Sequence, residues 1–357
     1  MDVLAALKEI RGLDRDAMDG ARRRQDTLLK PVGSLGRLED LSIQIAGITG
    51  QVLNALPGRV HYLFAADNGV YDEGVAAAPQ ALTGMLLSNY ADGGCAINIL
   101  CEQYQVDLRL VDIGVKNLPE IRGVRYAKLM NGTGNIAREP AMSRPTAIAA
   151  MQIGFDCAVE AKSAGYKILG TGEVGMGNTT TAAACILAAL QDRDYENRIG
   201  RGAGLSDEGL AQKKRVIQRA LELHADKLGD PVEILSAVGG LDIAALTGLY
   251  IGAAYVRLPI VIDGVISIAA ALLAYQLQAL TREFMIPSHT SEEPAFSLAL
   301  HAMSTDCPTR FRPLLDLNMR LGEGTGCPPA MDLIDTALSI LRKMVTMSEV
   351  KQSQSRK

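Results

Sequence analysis

No stretch of this sequence is apolar enough for a membrane, and no excess of basic charge suits it to nucleic acid. The most apolar segment, Leu241 to Leu280, is broken by Asp242, Arg257, Pro259 and Asp263. It never reaches the ~18 uninterrupted apolar residues of a spanning helix, so a buried helix, strand and helix is the expectation. The formal net charge is −4. That argues against a general nucleic-acid binder, whose surface must displace counterions, but leaves room for a local basic pocket holding one phosphate. No CxxC pair occurs among Cys95, Cys101, Cys157, Cys185, Cys307 and Cys327, and the Met-Asp-Val start runs into mixed charges with no secretory signal. The cysteines are therefore expected to be reduced, mostly buried thiols of a soluble, cytoplasmic protein. His61, His224, His289 and His301 lack metal-ligand spacing. There is no internal repeat and no low-complexity linker, and the polar tail Lys351–Lys357 is expected to fray.

What is present is the rhythm of a globular α/β protein. Hydrophobic residues make up 48% and charged residues 21% of 357, enough for one large core or a large domain with a smaller one. Asp14–Leu29 is charged, amphipathic and free of proline, which predicts a helix stopped by Pro31. Ser34 reads as the N-cap of a second helix through Ile48. Short apolar runs at Val60–Ala66, Leu108–Ile113, Lys167–Gly170 and Pro259–Ile262 predict buried strands, and the Ala-rich stretches Thr179–Leu190 and Ile266–Leu280 predict helices. Their alternation predicts a parallel, doubly wound sheet. Each strand has an acid or a glycine at or near its carboxyl end: Asp67, then Asp112 and Gly114, then Gly172 and Glu173, then Asp263 and Gly264. One such carboxylate is as easily a helix cap as a ligand. Four of them, at the edge where open α/β sheets bind ligands, predict a site.

Gly172 and Gly177 have the spacing of a nucleotide-binding P-loop, but Asn178 stands where the phosphate-neutralising lysine would be. That disfavours a kinase or NTPase. A helix N-terminus with free N–H groups beside Thr179, Thr180 and Thr181 still suits one phosphate or carboxylate; the plainer alternative is a tight turn with a threonine cap. Further glycine-rich turns occur at Asn131–Ala137 and Gly200–Leu205. A fourth, Arg320–Gly326, sets Glu323 between Gly322 and Gly324. Flanking glycines remove side-chain cover and let the backbone approach a ligand, and Arg320 can supply charge to a phosphate. The alternative for that segment is a solvated surface loop.

These motifs resemble the nicotinate-nucleotide:dimethylbenzimidazole phosphoribosyltransferases of cobamide nucleotide-loop assembly. The likeness is carried by Lys30–Glu39, Ala65–Ala76, Gly132–Ala137 with Pro140–Arg144, Thr171–Ala184, Leu258–Gly264, Ile286–Glu292 and Arg320–Gly326, in the family's order over nearly the whole chain. It implies a large Rossmann-like domain over residues 31–330, with a mostly parallel sheet and helices on both faces. Residues 1–30 and 331–357 would form a small helical domain. The implied reaction moves the phosphoribosyl group of nicotinate mononucleotide to an aromatic lower-ligand base, giving an α-riboside 5′-phosphate and nicotinate, with no metal and no cofactor. The implied assembly is a homodimer, or a heterodimer with a paralogue, whose partner borders the site. The alternative is a non-catalytic or partner-dependent subunit of such a transferase.

By the same resemblance Glu323 takes the proton of the incoming ring, and Glu173 orients substrate or spreads charge on the ribose. The phosphate falls to Gly175, Met176, Gly177, Asn178, Thr179, Thr180, Gly202, Ser291, Arg320, Leu321 and Gly322. His289 either shapes the site or is a buried structural histidine. The base pocket would be formed by Asp67, Asn68, Ala78 and Leu86, and here the chain departs from the family. Asn68 replaces a histidine, Ala78 a serine and Leu86 a glutamine of the benzimidazole-using members. A pocket without those partners disfavours bases that need them, which predicts phenol or p-cresol as well as, or instead of, dimethylbenzimidazole. A phenol, with a pKa of about 10, still needs a base.

Overall fold

The apolar runs become the centre of one sheet. In a computed structural model, which describes residues 1–305 and 311–354, the strands are β1 Arg59–Ala66, β2 Asp107–Gly114, β3 Val124–Tyr126, β4 Ile168–Val174, β5 Ile260–Ile262 and β6 Met285–Pro287. They pair in the order β3-β2-β1-β4-β5-β6, every pair parallel. The central β1 and β4 are buried on both faces, hence their unbroken apolar character. The alternation of side chains assigns the two faces. Gly170 of β4 lies against Cys327 and Met331 of the helix Cys327–Lys343. Thr171, the next residue, bonds on the opposite face to Ser267 at 2.6 Å and Tyr250 at 3.3 Å, from the helices Val265–Leu277 and Leu241–Tyr255.

Several elements differ from the sequence expectation. Ser34 caps nothing: the second helix is Arg37–Thr49, entered through Gly36 at φ +52°. Glu39 does the local tying instead, accepting from the Leu35 N–H at 3.0 Å and pairing with Lys30 at 2.7 Å in a nearly buried ion pair. β4 runs on through Glu173, so Gly172 is a strand residue and not the first glycine of a P-loop. The short strands β3 and β6 have no counterpart among the predicted runs. The helix Met347–Gln354 extends through the first part of the tail expected to fray.

A satellite core of Ala17, Met18, Ala21, Leu28, Ile43, Ala46 and Leu341 joins the helices Arg15–Thr27, Arg37–Thr49 and Cys327–Lys343. It therefore draws on Arg37–Thr49 as well as on both chain ends. Cys101, Cys157, Cys185 and Cys327 are buried free thiols and Cys95 is half-buried; Cys307 lies outside the described residues. Among those residues, no helix is long and apolar enough to cross a membrane.

The helix Arg144–Ser163 meets Leu241–Tyr255 backbone to backbone. A Cβ on Gly154 would fall 1.8 Å from the Ala245 carbonyl oxygen, and one on Gly248 1.8 Å from that of Met151. Gly154→Ala must prise these helices apart, at about 1–3 kcal/mol for such overpacking. The expected result is a lower thermal midpoint with turnover per folded molecule retained. An unchanged midpoint would show that the contact yields freely.

Candidate active site

At the carboxyl ends of β1 and β4 the chain turns to opposite sides of the sheet, and a crevice opens there. It holds a cavity of about 590 Å³, the size of a small-molecule site. One wall is apolar, from Val75, Ala76, Ala77, Ala78, Leu82 and Leu86. The other surfaces come from Glu173–Thr179, Ile199–Leu205, Ser291–Pro294 and Arg320–Glu323, with His289 also on the lining.

Glu323 is only 9% exposed and sits at φ +62°, between Gly322 at +85° and Gly324 at +80°. A non-glycine residue in the left-handed region costs ~1–3 kcal/mol unless its surroundings impose it, and such strain gathers at functional sites. The surroundings do impose it. Asp263 accepts from the N–H of Gly324 at 3.2 Å and of Gly326 at 2.9 Å, and the Glu323 carbonyl lies 3.1 Å from His61 Nε2. Burial raises the Glu323 carboxyl above the ordinary range; the Asp263 charge adds to the rise and the Tyr90 phenol opposes it. Glu323 Oε2 and the Tyr90 hydroxyl are both buried, and the phenol's hydrogen bond to the carboxyl group is what opposes the rise.

Glu173 is the penultimate residue of β4, beneath this loop; a Cβ on Gly322 would lie 3.0 Å from its Oε1. Burial first, then the Asp242 and Asp263 charges, push Glu173 up to about 8, while Asn178 pulls it down. Asp242 is pushed up to about 6, mainly by burial. The Asn178 amide donates to Glu173 and, at 3.4 Å, to Asp242 Oδ2. Asn178 thus lines the cavity, but its side chain serves two carboxyl groups and not an arriving phosphate.

The expected phosphate residues mostly converge. Gly175, Met176, Gly177, Thr179, Gly202, Ser291, Arg320, Leu321 and Gly322 all line the cavity. Gly175 admits no side chain, since a Cβ there would meet the Ala66 carbonyl at 2.0 Å. Arg320 stands exposed at the mouth, 3.5 Å from Glu292, and Leu321 is exposed beside it. One placement differs from expectation, and one lining N–H is already engaged. Thr180 is fully buried behind the lining, on the inner side of the helix Asn178–Leu190. The Gly202 N–H already donates to Glu293 Oε1 at 2.7 Å.

Asp67 and Asn68 also lie behind the cavity and not on it. Both oxygens of Asp67 are engaged, by the Thr83 hydroxyl at 2.7 Å and the Lys116 N–H at 2.8 Å. The same hydroxyl accepts from the Met176 N–H at 3.1 Å, so Asp67 braces the glycine turn from below. Asn68 takes a 3.5 Å contact from Thr181. Ala78 and Leu86 do face the cavity.

Lys213 lies behind the lining too, beside its Thr179, and sequence reasoning did not single it out. Its ammonium is fully buried, 3.0 Å from both Thr179 Oγ1 and the Gly200 carbonyl. Burial pushes it down to about 8, with the Glu293 charge opposing. In the run Lys213-Lys214-Arg215 it looks solvated. The signal was its place on the buried stripe of the helix Asp207–Leu223, with Val216, Ile217 and Ala220 at i+3, i+4 and i+7. His289 faces the cavity, its Nδ1 3.0 Å from Ser288 Oγ and 3.6 Å from Asp263 Oδ1.

The sequence model of a family described as "Phosphoribosyltransferase" matches residues 10–351. The chain is 43% identical over 343 residues to the nicotinate-nucleotide–dimethylbenzimidazole phosphoribosyltransferase of Clostridium perfringens, covering 96% of this chain and 93% of that protein. To the protein of the same name from Chloroflexus aggregans it is 44% identical over 351 residues, 98% of each. Among solved structures it is similar to CobT from Thermus thermophilus, with a TM-score of 0.88 and 36% identity over 94% of this chain and 98% of that one.

Proposed function

The chain belongs to this phosphoribosyltransferase family, and from that membership and the meeting of Glu323 and Glu173 in one cleft we propose that it transfers the phosphoribosyl group of nicotinate mononucleotide to an aromatic base. The single observation that carries the reading is Glu323, held in a strained conformation with its carboxyl group at a cavity of substrate size. As the bond between C1′ and the nicotinate nitrogen breaks, its electron pair returns to the ring, which leaves neutral and needs no acid. The incoming base forms the new bond to C1′ from the opposite face, through the bare ring nitrogen of a benzimidazole or the oxygen of a phenol, giving the α-riboside 5′-phosphate, and the N–H or O–H proton of that base passes to Glu323. Alignment of the two reactants in one cleft supplies much of the rate.

Burial first, with the Asp242 and Asp263 charges, raises Glu173, which favours its protonated form in the empty site. It can then donate a hydrogen bond to the sugar without repelling Glu323. The pyridinium charge of bound nicotinate mononucleotide favours its ionised form, which would stabilise positive charge on the ribose. The phosphate is assigned to the turn Gly175–Thr179 with Ser291, above Lys213 and with Arg320 at the mouth. The assembly is proposed as a homodimer, or a heterodimer with a paralogue, working in the cytoplasm, with the chain ends forming a small helical lobe.

The base is proposed to be of low polarity, phenol or p-cresol as well as or instead of dimethylbenzimidazole. The support is the wall of Val75, Ala76, Ala77, Ala78, Leu82 and Leu86, which offers no polar side chain. Purified protein given nicotinate mononucleotide with each base, and assayed by mass spectrometry, should yield the riboside phosphates of phenol and p-cresol. Product from dimethylbenzimidazole alone would sink the phenol reading and leave the reaction class standing. No product from any base would remove both.

A further inference from the structure

His61 lines no part of the cavity, yet it is built into the loop that presents Glu323. It is the third residue of β1 and is fully buried. Its ring occupies a slot made of glycines. A Cβ on Gly324 would fall 2.0 Å from Cε1, one on Gly172 2.3 Å from Nε2, and one on Gly170 2.6 Å from Nδ1. Gly172 and Gly324 are the immediate neighbours of Glu173 and Glu323, so the ring is packed against both segments that carry the reacting carboxyl groups.

Nε2 meets the Glu323 carbonyl oxygen at 3.1 Å. A carbonyl only accepts, so the ring proton is on Nε2. Nδ1 is then a bare acceptor, buried and without a partner among the described residues. Burial holds the ring neutral, its pKa pushed down to about 4. A buried polar atom left unsatisfied needs a reason. If the slot needed only bulk, an apolar side chain would fill it without the orphaned nitrogen. What the imidazole supplies is one N–H directed at the peptide that follows a strained φ.

We propose that His61 is the positioning residue of Glu323: its Nε2–H fixes the Glu323 carbonyl, and with it the left-handed backbone that turns the carboxylate into the cleft. Asp263 anchors the next residues of the same loop through the N–H groups of Gly324 and Gly326, so acceptor and donor sides of the turn are held from opposite strands, β1 and the end of β5. The inference rests on Glu323 as the proton acceptor.

His61→Leu removes the donor and keeps an apolar filling, whereas His61→Gln can present an amide N–H at similar reach. The leucine variant should lose about 10²-fold in kcat, the cost of a misplaced reacting group, with little change in KM for nicotinate mononucleotide. The glutamine variant should recover most of that loss. Full kcat in His61→Leu overturns the proposal; so does a parallel change of kcat and KM in both variants in step with a lower thermal midpoint. Should the leucine variant not fold, nitrogen NMR of the wild-type ring decides. The Nε2–H tautomer without titration between about pH 8 and 5 is expected; an Nδ1–H ring, or one titrating near 6.5, overturns it. Glu323→Gln, measured alongside, separates the premise: wild-type turnover there removes the base itself, while the ring spectrum still reports on the His61 bond.

Discussion

Replacing Glu323 by glutamine should lower kcat by about 10²–10⁴-fold, the contribution of a positioned general base, and leave the KM for nicotinate mononucleotide nearly unchanged. The amide has the carboxylate's shape and can keep the neighbours that fix φ at +62°. What it loses is the ability to take a proton from the attacking ring. The pH dependence follows from the direction of the carboxyl's shift. Burial raises it, with Asp263 adding and Tyr90 opposing, so the acceptor form is lost as pH falls through a value above the usual carboxylate range. The acid limb of kcat/KM should therefore lie higher than an exposed glutamate would place it, and the glutamine variant should lose the share of it that belongs to Glu323 and keep only that of Glu173, itself raised by burial. Steady-state rates across pH on both proteins check this. An acid limb unchanged in Glu323→Gln, or an undiminished kcat, takes the proton away from this residue.

The parts of this site that were legible in sequence are those where one residue type has few other uses. A glutamate between two glycines at Gly322–Gly324 leaves a carboxyl group little to do but face a ligand, and the structure puts it at the cavity. Central strands were legible for a similar reason, because burial on both faces demands unbroken apolar runs such as Val60–Ala66. An acid at a strand end is different, since bracing and catalysis need it equally. Asp67 and Glu173 gave the same signal; one ties Thr83 and Lys116 behind the cavity, the other lines it. Asn178 was misleading because spacing locates a backbone position and not a side-chain direction. It opens the helix where a P-loop lysine would begin one, but its amide turns back to Glu173 and Asp242. His61 had no signal at all, because its partners, Glu323 and three glycines, are distant in sequence and meet only through parallel strand order.

Lys213→Met should separate binding from stability, since the two respond in different ways. The folded enzyme holds an ammonium group out of water, and its pKa falls from 10.5 to about 8. A downward shift of that size in a fully buried lysine means that the charged form costs roughly 3 kcal/mol of stability at neutral pH. The sign is that of a lysine without an ion-pair partner: the unfolded chain binds the proton more tightly. The penalty is full below pH 8 and is relieved as pH rises through 8 toward 10.5. Methionine removes it, but strips a donor from the Gly200 carbonyl and Thr179 Oγ1, at about 1–3 kcal/mol. The two terms nearly cancel, so the thermal midpoint at neutral pH should barely move. The phosphate has no such compensation. With the phosphate placed above Lys213 as proposed, a charge-assisted hydrogen bond of about 1.5–3 kcal/mol is lost, which corresponds to a KM for nicotinate mononucleotide roughly 10- to 150-fold higher. A nucleoside analogue without the phosphate should not feel the substitution. If the midpoint collapses while KM holds, Lys213 is a structural lysine and the phosphate lies elsewhere in the cleft. If KM rises on an unmoved midpoint, the protein carries a destabilising buried charge because its substrate needs it there.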